Sequence, residues 1–222
     1  MISVNQAIAI VQSSVEPTSQ TEYIHISKAH RYVLRNDIVS EINMPPFRQS
    51  AMDGYALCLH DDFTYKLVGE VKAGDPINPI VKKGECVRIF TGAPVPDTAN
   101  AVIMQERVSV NEDCITIDSA VKSNDNIRPA GEQVKKGQTA LKKDTLLTPA
   151  AIAFATSLGV TEVSVYKKPS IAILVTGNEL IKAGKSLQYG QIYESNAVML
   201  TSALIGVGFN KITNYKVADN YK

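Results

Sequence analysis

Apolar residues recur along this chain at two spacings, and the change between them marks its organisation. Val4, Ala7, Ile8, Val11 and Val15 keep the three-and-four spacing of one helix face, so a helix with that face buried is predicted over residues 4–15. Ser3 stands at its N-cap with Gln6 three residues on, the two halves of a capping box, and Glu16-Pro17-Thr18 ends it. Tyr23–Ile26 reads as a short strand, His30–Leu34 as a helical turn or short helix, and Ile38-Val39 as the start of an extended stretch. Pro45-Pro46-Phe47 is a hard break, because two prolines remove two backbone donors and hold the chain extended. A domain boundary is placed near it.

Beyond the break the pattern becomes short runs separated by turn residues. Strands are predicted at Tyr55–Leu59, Tyr65–Val71, Glu85–Phe90, Ala101–Gln105, Val108–Val110 and Cys114–Ile117. The turns include Ala73-Gly74-Asp75-Pro76 and Gly92-Ala93-Pro94-Val95-Pro96-Asp97. This spacing predicts a small antiparallel barrel or sandwich. Thr148-Pro149 then opens a helix that stops at Leu158-Gly159, with Thr148 as N-cap and Gly159 past the end, and Glu162–Tyr166 is a strand. Ser170–Val175 is continuously apolar, the mark of a strand buried on both faces of a parallel sheet. A helix over Ser195–Ile205, offering Val198, Met199, Ala203 and Ile205 for burial, and a strand over Phe209–Val217 complete one βαβ unit.

Composition narrows the function classes. The 222 residues suit one large domain or two small ones. Lys plus Arg (23) nearly balances Asp plus Glu (22), a net charge of +1 that argues against a nucleic-acid binder. No apolar run approaches the roughly 18 residues of a membrane span. The first six residues lack a basic stretch, so a secretory signal is not expected. Cys58, Cys86 and Cys114 form no CxxC pair, which points to a reducing, cytoplasmic setting and to small core residues. The Lys-Lys pairs at 82–83, 135–136, 142–143 and 167–168 read as solvated turns. The chain has no Walker loop, GxGxxG or HExxH.

Four loop clusters could carry chemistry. In Ser50-Ala51-Met52-Asp53-Gly54-Tyr55, Asp53 is either part of a plain Asp-Gly turn or a carboxylate offered to a metal such as magnesium or to a proton. In Arg88-Ile89-Phe90-Thr91-Gly92-Ala93-Pro94-Val95-Pro96, the loop is either a proline-stiffened strand end or an anion contact. That contact would be made by the Thr91 hydroxyl and the Thr91–Ala93 amides, with Gly92 admitting a ligand to the backbone. Arg128, in Ile127-Arg128-Pro129-Ala130-Gly131-Glu132, could grip an oxyanion bidentately or sit in a surface ion pair. Glu179, in Thr176-Gly177-Asn178-Glu179-Leu180, follows the apolar strand, where open α/β sheets bind ligands. Ser195 or Asn196 caps the next helix or meets an anion at its free amides.

Taken in order, these clusters resemble the molybdopterin molybdenumtransferase family (MoeA type, similar to the E domain of gephyrin). The match runs from Pro45-Pro46-Phe47 through Gly190-Gln191-Ile192-Tyr193-Glu194-Ser195-Asn196. The resemblance implies Mg²⁺-dependent insertion of molybdate into adenylylated molybdopterin with release of AMP, in a cytoplasmic, elongated homodimer whose cleft joins both subunits. Carried over by motif, Asp53, Thr91 and Glu179 are the catalytic candidates and Asp53 and Glu179 the metal ligands. Thr91, Gly92, Arg128, Ser195 and Asn196 would bind substrate. The implied fold is α/β plus β, with three parts. Residues 1–21 and 169–222 would form an incomplete parallel α/β domain like a molybdopterin-binding domain. Residues 22–43 and 141–168 would form a mixed α/β linker domain, and 44–140 a β-barrel lid. Asn178 stands where the family usually has Asp. The family's Ser-Gly-Gly and Lys-Pro-Gly-Lys loops and its C-terminal β domain are not in these residues, so the chain corresponds to an N-terminal portion expected to be inactive alone. A non-catalytic scaffold on the same fold is the alternative, and a free-standing small-ligand β-barrel module a third.

Overall fold

The computed structural model describes residues 2–218. In chain order its principal elements are helix α1 (Val4–Ser14), strands β1 (Thr21–His25), β2 (Gly54–Leu57), β3 (Thr64–Val71), β4 (Glu85–Ile89), β5 (Ala101–Met104), β6 (Val108–Asn111) and β7 (Cys114–Ile117), helix α2 (Pro149–Ser157), strands β8 (Glu162–Tyr166) and β9 (Ile171–Thr176), helix α3 (Asn196–Gly206) and strand β10 (Ile212–Val217). The architecture is mixed α/β, mostly strand. Two compact units share the chain: residues 39–140 form one, and 1–38 with 141–222 form the other.

The 39–140 unit is built on a six-stranded sheet in the order β5-β2-β4-β3-β7-β6. A flat sheet of that width would hold its edge strands about 24 Å apart. Yet β5 and β6, the two edges, are joined by the three residues Gln105–Arg107 alone, a link that reaches no more than about 14 Å. The sheet therefore curls. No pairing between β5 and β6 closes it among the described residues, and one neighbour pair departs from the antiparallel expectation. β3 and β4 run parallel, with a register shift between Leu67 and Glu70. The residues between them, 72–84, are too many for a tight hairpin and long enough for the crossover that parallel strands need. Two apolar clusters flank the sheet: Ala56, Val71, Val87, Ile89 and Val102 with Val81 and Val95, and Tyr55, Leu57, Tyr65, Cys86, Ile103 and Ile115. Alternate residues of β2 feed the two clusters, so all four are buried. Of the cysteines, Cys86 is fully buried, with its thiol pushed up to about 12 by burial. Cys58 is half-buried and packs against the first cluster, and Cys114 is exposed, so the core reading fails at Cys114.

The second unit carries the three helices. α1 has the expected capping box: the Gln6 amide donates to Ser3 Oγ at 3.2 Å and the Ser3 amide to Gln6 Oε1 at 2.8 Å. The burial predicted for its apolar face is corrected, since no residue of α1 is buried. β1 pairs antiparallel with β8 from Thr21↔Tyr166 to His25↔Glu162. Thr148 Oγ1 caps α2 by accepting the Ala151 amide at 3.2 Å, with Pro149 in the first turn and Gly159 at φ 83° beyond the end. The helical turn or short helix expected at His30–Leu34 is corrected: His30-Arg31 form a turn, Val33 and Leu34 bridge to Leu146 and Val165, and the helical turn lies earlier, at Ile26–Lys28. β9 and β10 pair in parallel across α3. The expected two-sided burial of β9 does not occur. It has one strand neighbour, Ile173 is its one buried residue, and Leu174 is 66% exposed. Val198, Met199 and Ile205 of α3 are likewise exposed, and Ala197 is the residue buried there. Lys168 departs from the solvated-turn reading. Its ammonium lies 3.9 Å from the Tyr32 ring centroid and donates to the Gly208 carbonyl at 2.6 Å. Burial, then the Arg31 charge, pushes its pKa down. The other Lys-Lys pairs are exposed.

Among the sheet's glycines the backbone comes closest at Gly54, paired with both Ile89 and Met104. A Cβ built on Gly54 would stand 1.8 Å from the Ile103 carbonyl oxygen, whereas on Gly69 it would meet Val87 Cγ1 at 3.9 Å. Gly54→Ala should therefore destabilise by about 3 kcal/mol or more, and Gly69→Ala by about 1 kcal/mol or less. Urea unfolding of both variants checks the contrast; equal midpoints would refute it.

Candidate functional site

The 39–140 unit brings three segments together around Asp53. Ser50 and Gln49 pair with Ile127 and Arg128, and Gln49 also bridges to Pro94. The Gly92 amide donates to the Ser50 carbonyl at 2.9 Å, and the Ser50 amide to the Ala93 carbonyl at 3.0 Å. The buried Ser50 hydroxyl donates to the Met52 carbonyl at 2.7 Å, which turns the chain toward Asp53. Asp53 Oδ1 then accepts two hydrogen bonds, from the Thr91 amide and the Thr91 hydroxyl, each at 2.7 Å. These two donors, and to a smaller degree the Arg88 charge, hold the Asp53 carboxyl below the usual carboxylate range. No hydrogen bond reaches Oδ2 from the described residues, so an ionised oxygen remains for a ligand.

This changes the role of the Thr91 loop. Free amide donors were expected from Thr91 to Ala93, but the Thr91 amide and hydroxyl go to Asp53, the Gly92 amide to Ser50 and the Ala93 amide to Phe90. Thr91 acts on the carboxylate. Gly92 does offer open space: at φ 83°, a Cβ there would meet nothing within 4 Å. Arg128 is exposed, and the two ion pairs among the described residues, Lys72–Glu70 and Arg107–Asp118, do not include it. Its guanidinium is not committed to a carboxylate.

Glu179, Ser195 and Asn196 lie in the other unit, at the carboxyl end of β9. The chain after β9 turns at Gly177 (φ 135°), where a Cβ would come within 2.8 Å of both Glu179 carboxylate oxygens. The glycine lets that carboxylate lie against its own loop. Leu180-Ile181 pair in parallel with Ile192-Tyr193, and the Ile192 amide donates to the Glu179 carbonyl at 3.0 Å. The two loops are thus zipped beside a cavity of ≈ 530 Å³ lined by Val175, Lys182, Glu194, Asn214 and Lys216 among others. The expectation that Ser195 or Asn196 caps α3 is corrected. Ser195 makes no side-chain cap, and Glu194 Oε1 accepts the Ala197 amide at 2.8 Å. A carboxylate suits the positive end of a helix, so an incoming anion there competes with Glu194. Its spacing of three residues before the bonded amide is the signal that could have identified it.

The donor set allows a hard cation in one mode. No group of three His, Cys, Asp or Glu side chains that could hold a metal exists among the described residues. Magnesium, however, commonly takes one or two carboxylates and completes its shell with water and substrate phosphate. Asp53, with one oxygen anchored and one open, fits that mode.

Residues 2–159 match the family model for the MoeA N-terminal region, domains I and II. This chain belongs to the MoeA family. It is 42% identical over 200 residues to the molybdopterin molybdenumtransferase of Haemophilus influenzae, a match covering 88% of this chain and 50% of the relative. To the Staphylococcus aureus molybdopterin molybdenumtransferase it is 35% identical over 185 residues, 80% of this chain and 44% of that one. The crystal structure of a molybdopterin biosynthesis MoeA protein from Pyrococcus horikoshii superposes at a TM-score of 0.82 with 33% identity, over 97% of this chain and 60% of that one. The chain spans about half the length of the curated relatives it matches, as an N-terminal portion of the MoeA pattern. No helix among the described residues is long and apolar enough to cross a membrane.

Because Asp53 depends chiefly on Thr91, Thr91→Val should raise the Asp53 pKa toward the ordinary carboxylate value, read from the carboxyl ¹³C shift against pH. The sign follows from linkage. A folded-state value below the unfolded one contributes stability above the carboxylate range, and the contribution disappears as pH falls through it. The variant should show a shallower loss of stability on acidification than the parent. An unmoved Asp53 titration would refute the assignment.

Proposed function

We propose that the chain contributes Asp53 and, from its other unit, Glu179 to the insertion of molybdate into adenylylated molybdopterin, releasing AMP in the cytoplasm, as part of molybdenum cofactor biosynthesis. The observation that carries this reading is the Asp53 carboxylate, pinned by Thr91 through one oxygen and open at the other, in a member of the MoeA family. Asp53 and Glu179 would each offer a carboxylate as a Mg²⁺ ligand, the one in the 39–140 unit and the other in the second unit. The bound ion would supply charge neutralisation and polarisation of the phosphorus–oxygen bond being broken. Thr91 keeps Asp53 ionised and fixed in direction. Gly92 leaves room for the substrate beside the backbone. Arg128 offers a planar fork for an oxyanion, a task for which guanidinium geometry is better matched than an ammonium. Ser195, whose hydroxyl is not spent on capping, and Asn196 would contact substrate at the α3 terminus.

The three-part division read from the sequence, with residues 44–140 as a barrel-like lid and residues 22–43 and 141–168 as a linker, belongs to this proposal. So do the homodimer and the inactivity of these residues alone. Asn178, where the family usually carries Asp, favours a second reading as a non-catalytic scaffold.

The test is a molybdate-insertion assay with adenylylated molybdopterin, using the polypeptide carried to the length of its relatives. Asp53→Ala and Glu179→Ala should each lower turnover at least about 100-fold, the loss expected when a charge-stabilising group is removed. The activity should vanish on chelation and return with Mg²⁺. Full turnover by the double variant would remove both residues from the mechanism. No turnover by the parent would favour the scaffold.

A further inference from the structure

Arg88 lies on β4 directly opposite Tyr55 of β2, in the motif that also contains Thr91. Among the described residues its guanidinium forms no ion pair with a carboxylate. Nη1 donates to the Gly54 carbonyl at 3.0 Å, and Nη2 donates to Gln105 Oε1. The Gln105 backbone amide in turn donates to the Asp53 carbonyl at 3.0 Å. The Tyr55 and Phe90 rings lie 5.1 and 5.0 Å from the guanidinium carbon, contacts that restrain its plane. The carbonyls of Asp53 and Gly54 are therefore tied to one assembly, Arg88 directly and Gln105 as its partner. Gly54 itself has no side chain to add to that anchoring, and a Cβ there would strike the Ile103 carbonyl.

We propose that Arg88 is the positioning residue for Asp53. It fixes the Asp53–Gly54 backbone through the fork of its guanidinium, so that the carboxylate meets the Thr91 amide and hydroxyl. Its charge is secondary. A lysine at 88 would keep the charge but not the fork, because an ammonium is a point donor on a flexible stem and cannot reproduce two fixed, diverging bonds. The consequence for activity rests on the functional reading of Asp53 above; the structural role does not.

Amide hydrogen exchange on the full chain separates these. In Arg88→Lys, the Thr91 and Gln105 amides should exchange about tenfold faster, the scale of one lost hydrogen bond. The Ile117 amide, bonded to the Phe63 carbonyl, should keep its protection. A merely destabilised fold would move all three together. If Arg88→Lys does not fold, Gln105→Ala, at an exposed position, removes one acceptor of the fork and should speed Thr91 exchange about threefold. Unchanged Thr91 exchange in the variant that folds, or acceleration shared equally by Ile117, overturns the proposal. In the polypeptide of full family length, Arg88→Lys should lower kcat with little change in KM. Full activity of Asp53→Asn there would defeat the functional reading of Asp53 and leave the exchange result standing.

Discussion

The close approach of backbone to backbone at Gly54 governs the 39–140 unit. With no side chain between them, β2 and β5 come near enough that a single added carbon would strike the Ile103 carbonyl. That proximity places the Asp53 carbonyl within reach of the Gln105 amide and the Gly54 carbonyl within reach of Arg88. The Asp53 side chain then meets two donors at the end of β4, the Thr91 amide and hydroxyl. A steric fact in the sheet thus becomes an electrostatic fact at its rim. The antiparallel pairing of Gly54 with Ile89 puts the Asp53 and Thr91 loops side by side.

The parts of the fold that were legible in the sequence are those set by local chemistry. The Ser3–Gln6 box, the Thr148-Pro149 start, the Gly159 stop and the strand Glu162–Tyr166 depend on a few neighbouring residues, and each stands where the pattern put it. The misreadings concern what lies across from an element. Periodicity in α1 and α3 identified a helix face but carries no information on what covers it, and among the described residues those faces are exposed. The parallel pairing of β3 with β4 was hidden for a related reason, since turn residues between 72 and 84 look the same in a hairpin and in a crossover.

The candidate site divides along the same line. Asp53, Thr91 and Glu179 could be named as candidates because each stands in a glycine-containing loop motif of the family's pattern. Their hydrogen-bond partners were not, because a donor's destination is fixed by three-dimensional competition. Thr91 turned from an expected anion contact into the anchor of Asp53. Glu194, a loop residue in the sequence reading, took the helix terminus from Ser195. In both cases the nearest carboxylate won, as expected where a charged acceptor competes with neutral ones for a backbone amide.

The interrupted unit also sets an order of assembly. β1, at residues 21–25, has its partner strand at 162–166, and the whole 39–140 unit is made in between. On a ribosome adding about 5–20 residues each second, β1 stays without its partner for roughly 7 to 28 seconds while the inserted unit emerges complete. The curled sheet can therefore fold first. Once compact, it shortens the loop that must close before β1 meets β8, which lowers the entropy cost of that late, distant pairing.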